Sequence, residues 1–431
     1  MAKDTPKSLR NQVMYAIYIR NYSEQGTFGA VEEDLDRIQA LGVDWIWILP
    51  IHPTGQQARI GELGSPYAIQ NYREVNPEFG TLADFKSLVQ AIHDKGMKCL
   101  IDVVYNHTSP DSWLAHHHPE YFYRNAEGRM YNRIGDWKDI IDLDYSHLAL
   151  WEYQIDTLKM WAEIVDGFRC DVAPLVPLDF WLRAREEVAK INPDCLWLSE
   201  SVEPAFIMDN RARGMVSLSD SEIFQAFDIC YDYDVFEYFR GYLTGANTLS
   251  AYALRVNMQE FIYPDNYIKL RYLENHDQAR AKDIIPDGLS LIHWTAFIYF
   301  QKGMTLLYAG QEYENDFRPD LFNRDTVNWD TGRDISESLK ALYSIKSKEI
   351  FANSRYHLTA LDESDILVGT HTWGEERLIG VFSCKGKPAE VAVPLADGVY
   401  HNLLYGNDVV VKDGKLAIHV APIMIETRSD T

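Results

Sequence analysis

The sequence predicts an α/β protein: a (β/α)8 barrel with a small insertion after its third strand and an antiparallel β-sandwich domain behind it. Three observations lead there. β-rich runs recur along most of the chain, mostly separated by helical patterns. A polar, aromatic-rich stretch at 107–145 interrupts that rhythm after the third run. From about residue 356 the pattern changes to short alternating strands between turn signals such as WGEER, CKGKP, LADG, YGND and KDGK. Repeated βα units imply a parallel sheet, and eight of them suggest closure into a barrel. An open doubly wound sheet is the alternative, but no Gly-rich dinucleotide fingerprint follows an early strand. The division expected is a barrel of 9–106 and 146–352, an insertion of 107–145 and a C-terminal domain of 356–431.

The first strand lies in QVMYAIYIRNYS (12–23), which begins with an apolar, β-rich run. VEEDLDRIQALG (31–42) places Val31, Leu35, Ile38 and Leu41 at helical spacing, with Gly42 as a stop. VDWIWILPI (43–51) is almost continuously apolar, as a strand buried on both faces should be. TLADFKSLVQAIHDKG (81–96) reads as a helix with Thr81 as its cap, Asp84 three residues on and Gly96 at its end. MKCLIDVVYNH (97–107) is the next buried strand. Helices at 147–163 and 178–190 then alternate with strands 165–172 and 195–201, and strands 226–234, 267–277 and 304–312 complete the set of eight.

Composition bounds the function. The 431 residues are 46% hydrophobic and 24% charged, which is ordinary for a globular protein. Lys and Arg number 41 against 64 Asp and Glu, a formal net charge of -23. Such a surface repels phosphate backbones and anionic membranes, so neither nucleic acid nor membrane is expected as a partner. The cysteines, at 99, 170, 195, 230 and 384, are odd in number and lack CxxC spacing, which argues against a disulfide framework or a zinc site. MAKDTPKSLR has no apolar core behind its basic residues, so it does not read as a signal peptide. The most apolar segment, 291–310, is broken by His293, Gln301 and Lys302 and does not read as a membrane span. A cytoplasmic location is expected.

The unusual polar residues fall at strand ends. Asp102 and His107 end the third strand, Arg169 and Asp171 the fourth, Glu200 the fifth, and His276 with Asp277 the seventh. In a βα barrel those ends share one rim, where active sites are built. On a strand, Arg169 and Asp171 of GFRCDVAP point to the same face. A buried cation beside a buried acid is costly unless the two are paired or do chemistry. Carboxylates with a cation and two histidines suit acetal cleavage. One acid protonates the leaving oxygen, and a second carboxylate captures the oxocarbenium-like carbon, with retention when the two stand about 5–5.5 Å apart. Arg169 would keep Asp171 ionised, because a nearby positive charge favours the charged form.

Taken singly, each residue has a structural explanation. Asp102 reads as a buried partner for Arg169, Glu200 could cap a turn, and His107 could be a core histidine. Cys170 points the other way and reads as packing. The run HHH (116–118) reads as a solvated loop, since three consecutive residues of a regular element cannot face one ion. Joint placement on one rim is what favours chemistry.

Several stretches together resemble the α-amylase family, glycoside hydrolase family thirteen. DVVYNH (102–107), GFRCDV (167–172), WLSES (197–201) and YLENHD (272–277) are similar to its four main blocks. GSPYAIQNYREVNPEFGT (64–81) and IIDLD (140–144) are similar to further ones. The resemblance implies Asp171 as nucleophile, Glu200 as acid/base and Asp277 as transition-state stabiliser. It also implies Arg169, His107 and His276 as sugar ligands, with Tyr67 as an aromatic platform. No cofactor is implied for the chemistry. Asn106 and Asp142 match positions that bind a structural calcium in the family; the reading without an ion has them bond the insertion to the barrel.

The departures concern linkage. Where many secreted relatives carry Thr after the nucleophile and then a Lys-His pair, this chain has Val172, Pro174 and Leu175. Val at this place is common in α-1,6-acting relatives, while YLENHD is similar to the amylase form. The implied function is therefore a retaining α-1,4-glucan hydrolase acting on maltooligosaccharides, with α-1,6-glucosidase or transglycosylase as alternatives. From another class, a non-catalytic sugar- or partner-binding scaffold is disfavoured, because Asp171, Glu200 and Asp277 are all present.

Overall fold

In a computed structural model, residues 2 and 4–428 are described. Eight parallel strands close a barrel: β1 (Val13–Ile17), β2 (Trp45–Ile48), β3 (Lys98–Val103), β4 (Gly167–Cys170), β5 (Leu196–Ser199), β6 (Ile229–Tyr231), β7 (Lys269–Arg271) and β8 (Met304–Tyr308). Their order around the ring is β1-β8-β7-β6-β5-β4-β3-β2. Apart from Lys98, every residue in them is buried, which is why the sequence runs were continuous rather than alternating. The strands are shorter than their apolar runs suggest. The chain leaves the sheet at Cys170, Ser199 and Arg271, so Asp171, Glu200 and the whole of Glu274–Asp277 stand on loops just past it.

The chain divides into two compact units, one containing Tyr15–Tyr231 and Pro319–Val327, the other Asp4–Met14, Asp232–Arg318 and the chain from Asn328 onward. In the first, Asp102 lies opposite Arg169 and Cys170 opposite Ser199 in the parallel ladders. A Cβ at Gly167 would meet the carbonyl oxygen of Leu196 at 2.7 Å, so the β4–β5 approach requires glycine there. Tyr105 stacks on Trp181 with ring centres 6.3 Å apart, and Trp181 meets Trp197 and Phe227 edge-on, a dense aromatic backing to these strands.

Local expectations in this unit divide. Helix Leu82–Asp94 has the full Thr81–Asp84 capping box and ends at Gly96 in a left-handed conformation. The single helix expected over 31–42 is instead two short ones, Phe28–Glu32 and Leu35–Ala40. Asp34 turns the chain between them and binds Arg37 at 2.7 Å. The HHH run is solvent-exposed as expected, but only its last residue is loop. Its first two residues end the helix Trp113–His117, where His117 stacks on Trp113 at 4.2 Å, and His118 stacks on Tyr121 at 4.8 Å.

In the second unit the helix Gly288–Phe300 is buried through most of its length. Phe300 presses into a shallow place on a sheet where Gly369 faces Gly380 in register. A Cβ at either would come within 2.6 or 2.8 Å of its ring. That sheet has the order β9-β10-β11-β16, and a second has the order β12-β15-β14-β13. The strands are β9 (Arg355–Leu361), β10 (Ile366–Trp373), β11 (Glu376–Ser383), β12 (Ala389–Ala392), β13 (Gly398–His401), β14 (Asp408–Lys412), β15 (Lys415–Ile418) and β16 (Ile423–Arg428). Ile379, Val381, Val391, Val411, Leu416 and Ile425 belong to the core they enclose, which makes the pair a sandwich. All five cysteines are buried, and none of them forms a disulfide. Among the described residues no helix is long and apolar enough to cross a membrane.

Candidate active site

The site is organised by one buried arginine. Arg169, on β4, is fully buried, and its Nη1 donates to both oxygens of Asp102 at 2.9 and 3.0 Å and to Asp171 Oδ1 at 2.9 Å. Its Nη2 stands 3.0 Å from Glu200 Oε2. Three aromatic rings surround the guanidinium: Trp47, Tyr231 and Tyr67, with its carbon 5.1, 5.4 and 5.6 Å from their centres. Cation–π attraction compensates part of the lost hydration. Tyr231 also accepts from Nε at 3.2 Å. Burial works against the charge of Arg169, but Asp102 and Glu200 outweigh it and push its pKa well above the usual value. Burial pushes Asp102 the other way, up to about 7, against the pull of Arg169 and Tyr67. The hydrogen bonds that Asp102 accepts from Arg169 and from the Tyr67 hydroxyl (3.0 Å) favour its charged form. Asp102 is thus the structural partner expected. Trp47 and Tyr231 were not legible as site residues, being two aromatics among many.

The backbone places Asp171 and Glu200. Asp171 N donates to Val103 O at 2.9 Å and Glu200 N to Cys170 O at 3.0 Å, so each residue extends a parallel ladder one step past the strand. The chain then turns sharply. Val172 adopts φ 35° and ψ 42°, a left-handed conformation that is a genuine outlier for a β-branched residue. That turn aims its N–H at Glu200 Oε2, 2.8 Å away. Strain of this kind costs on the order of 1–3 kcal/mol and persists where the surroundings fix it. The Val172 side chain joins Leu175, Val202 and Ile207 in an apolar patch against Ile134, Trp137 and Phe206.

His107 begins the two-residue strand of the insertion, and its Nε2 is 3.9 Å from Asp171 Oδ2. Burial lowers its pKa to about 4, against the charges of Asp142 and Asp139, so the ring is neutral near pH 7. The Asn106 side-chain amide contacts Nδ1 at 3.2 Å. An amide nitrogen can only donate, which assigns the proton of His107 to Nε2, on the side of Asp171. His276 and Asp277 belong to the second unit. His276 Nε2 is 3.0 Å from Asp277 Oδ2; the histidine side chain is fully buried, whereas that of Asp277 is 42% exposed. Asn275 Oδ1 accepts from the amides of Asp277 and Gln278 at 2.8 and 3.0 Å, fixing the turn. A buried pair, Glu274–Arg280 at 2.6 Å, anchors it on either side.

The calcium expectation does not fit the residues present. Asp142 already accepts from Asn132 Nδ2 at 2.8 Å and from Arg133 N and Nε at 3.1 and 2.9 Å. Asn106 turns its amide nitrogen to His107. Calcium needs about 6–8 oxygen ligands, and among the described residues no three His, Cys, Asp or Glu gather as a candidate set. Asp142 instead bonds within the insertion, to Asn132 and Arg133, and the Asn106 amide meets His107, whereas the ion-free reading had both residues join the insertion to the barrel.

A family model for the catalytic domain of α-amylases matches residues 12–121, and one for the bacterial α-amylase C-terminal domain matches 357–425. A solved α-amylase from Lactobacillus plantarum is 46% identical, over 98% of this chain and 100% of that one, with a TM-score of 0.95. The chain belongs to the α-amylase family. Another solved member, a noncanonic maltogenic α-amylase from Thermotoga neapolitana, is 33% identical over 98% and 100% of the two chains, with a TM-score of 0.87. α-Amylase MalA of Haloarcula japonica is 29% identical over 78% of this chain, which spans 48% of that protein's length. Family membership and the closed barrel agree with the reading of the strand-end motifs as glycoside hydrolase blocks.

Proposed function

We propose that this protein hydrolyses α-1,4 bonds of maltooligosaccharides with retention of anomeric configuration. The observation that carries the reading is the Arg169 fork, whose two nitrogens contact Asp171 at 2.9 Å and Glu200 at 3.0 Å. One guanidinium spanning both carboxyls holds them near each other, as a double displacement requires. Asp171 attacks the anomeric carbon while Glu200 gives its proton to the departing glycosidic oxygen, which leaves with the bond's electron pair. The covalent glycosyl-enzyme is then opened by water, whose proton returns to Glu200. The Val172 amide keeps Glu200 in place through the exchange. His107 presents an Nε2–H donor to sugar hydroxyls, Tyr67 an aromatic face, and Asp277 with His276 the remaining polar contacts, Asp277 stabilising the positive charge of the transition state.

The fold divides functionally as barrel, 107–145 insertion and 356–431 domain in this reading. Cytoplasmic location is favoured by five buried thiols with no disulfide, and short imported α-glucans are then the substrate class. A transglycosylase reading is favoured by one observation, the apolar patch of Val172, Leu175, Val202 and Ile207 beside Glu200. Such a wall disfavours water and suits the apolar face of an acceptor sugar. Incubation with maltotetraose, panose and isomaltose, with products separated by chromatography, decides among these readings. Cleavage of α-1,4 bonds to shorter products supports hydrolysis, and products longer than the substrate support transfer. Cleavage of isomaltose alone overturns both in favour of an α-1,6-glucosidase.

A further inference from the structure

The insertion contains a cation site that the chain fills by itself. Asp142 is fully buried, and every polar group it has is engaged. Its N–H donates to Tyr131 O at 3.1 Å, and its C=O accepts from Tyr123 N at 3.1 Å. Its carboxylate takes Asn132 Nδ2 on Oδ1 and both Arg133 N and Nε on Oδ2, at 2.8, 3.1 and 2.9 Å. The Arg133 side chain is only 13% exposed, and its guanidinium carbon lies 3.9 Å from the centre of the Tyr123 ring. Asn132 Oδ1 accepts from Gly135 N at 2.7 Å, which closes the loop that carries the arginine. Arg133 therefore neutralises Asp142 from a position fixed by stacking, backbone and a neighbouring turn.

The consequence reaches the site along a short path. Asp142 is the antiparallel partner of His107 in the two-residue ladder, with Thr108 opposite Ile141. Leu143 N donates to Asn106 O at 3.0 Å and extends that pairing. We propose that Arg133 does the work of a structural metal ion in this protein: it is a positioning residue that locks Asp142, and through the Asp142–His107 ladder sets His107 at its place beside Asp171. The catalytic consequence rests on the function proposed above; the replacement of a metal by a guanidinium does not. An arginine suits this task better than lysine, because its planar guanidinium donates to the carboxylate through Nε while its face stacks on Tyr123.

The test combines calorimetry, thermal unfolding and kinetics. Chelator-treated wild type is titrated with Ca²⁺, and unfolding midpoints are compared with and without the ion for wild type, Arg133→Met and Arg133→Lys. The proposal expects no binding heat and no midpoint shift for wild type. It expects Arg133→Met to lose about 10- to 100-fold in kcat/KM on maltotetraose, the range for removing an outer-shell residue that orients a metal ligand, with Arg133→Lys between. Stoichiometric calcium binding with a raised midpoint in wild type overturns it, as does a wild-type kcat/KM in Arg133→Met. If Arg133→Met does not fold, the wild-type titration and Arg133→Lys still decide. A wild type inactive on every α-glucan would sink the proposed function, whereas the replacement of the metal would still stand or fall on the calcium titration.

Discussion

Removing the charge of Arg169 should expose how strongly the site depends on it. In Arg169→Met, three carboxyls lose their common cation: Asp102 and Asp171 at 2.9 Å and Glu200 at 3.0 Å from its nitrogens. Breaking a buried pair by deleting one partner costs about 3–5 kcal/mol, and one arginine against three acids places this variant at the top of that range. Asp102→Asn leaves Arg169 two carboxylates and loses charge-assisted hydrogen bonds, a cost of roughly 1.5–3 kcal/mol. The double variant has neither the cation nor its most buried partner, so it should be more stable than the sum of the two losses implies, by about 1–3 kcal/mol. Urea unfolding followed by tryptophan fluorescence measures all three, with the slope checked for constancy. The deficit of Arg169→Met should shrink as pH falls. Carboxyls stripped of their cation have folded pKa values above the unfolded ones, so the penalty is present at neutral pH and vanishes as they take up protons. Additivity within about 0.5 kcal/mol, or a deficit that does not change between neutral and mildly acidic pH, would refute the reasoning.

Further predictions concern single groups. Glu200→Gln should slow maltotetraose hydrolysis by about 10²–10⁴-fold yet still release an acidic phenol from an aryl maltoside in a single-turnover burst, since that leaving group needs no proton; equal loss on both substrates argues against Glu200 as the acid. Val172→Gly keeps the N–H that holds Glu200 and relieves roughly 1–2 kcal/mol of left-handed strain, while losing a buried side chain worth about 1.5–3 kcal/mol. It should be slightly less stable and still active, and a dead but folded variant would show that the side chain matters more than the amide. Gly380→Ala sets a Cβ 2.8 Å from the Phe300 ring and should cost about 1–3 kcal/mol by overpacking, read as a lowered unfolding midpoint; an unchanged midpoint means the sheet shifts freely. Burial lowers His52 and His293 to about 4 and His371 to about 3, from 6.5. The unfolded chain then binds more protons between those values and 6.5. Stability from these groups is complete above pH 6.5 and lost as pH falls towards 4, at up to about 1.36 kcal/mol per unit and group. Midpoints that stay level over that window would contradict it.

What was legible in the sequence followed from burial. Strands covered on both faces show as apolar runs, so all eight were found, and the rim residues were found because polar groups at the ends of such runs stand out. Strand ends were overrun, because Val172 and the residues leading into LENHD remain apolar although the backbone has left the ladder. The expected helix is broken at Asp34, which accepts from the Tyr22 hydroxyl, a tertiary contact that helical spacing does not encode. Arg133 could not be picked out, since an irregular loop has no period to tell its arginine from the others. Val172 was noticed as a departure in side chain, whereas its role in the structure comes from its backbone. The helical part of the histidine run was missed because stacking on Trp113 and Tyr121 depends on a fold that three consecutive letters do not reveal.

The central claim is tested most directly by NMR of the sugar released in the first moments of maltotetraose hydrolysis, before mutarotation, with Asp171→Asn run alongside. A first-formed α-anomer from wild type and no cleavage by the variant are the results predicted for a double displacement at Asp171. A first-formed β-anomer, or undiminished turnover by Asp171→Asn, would contradict it.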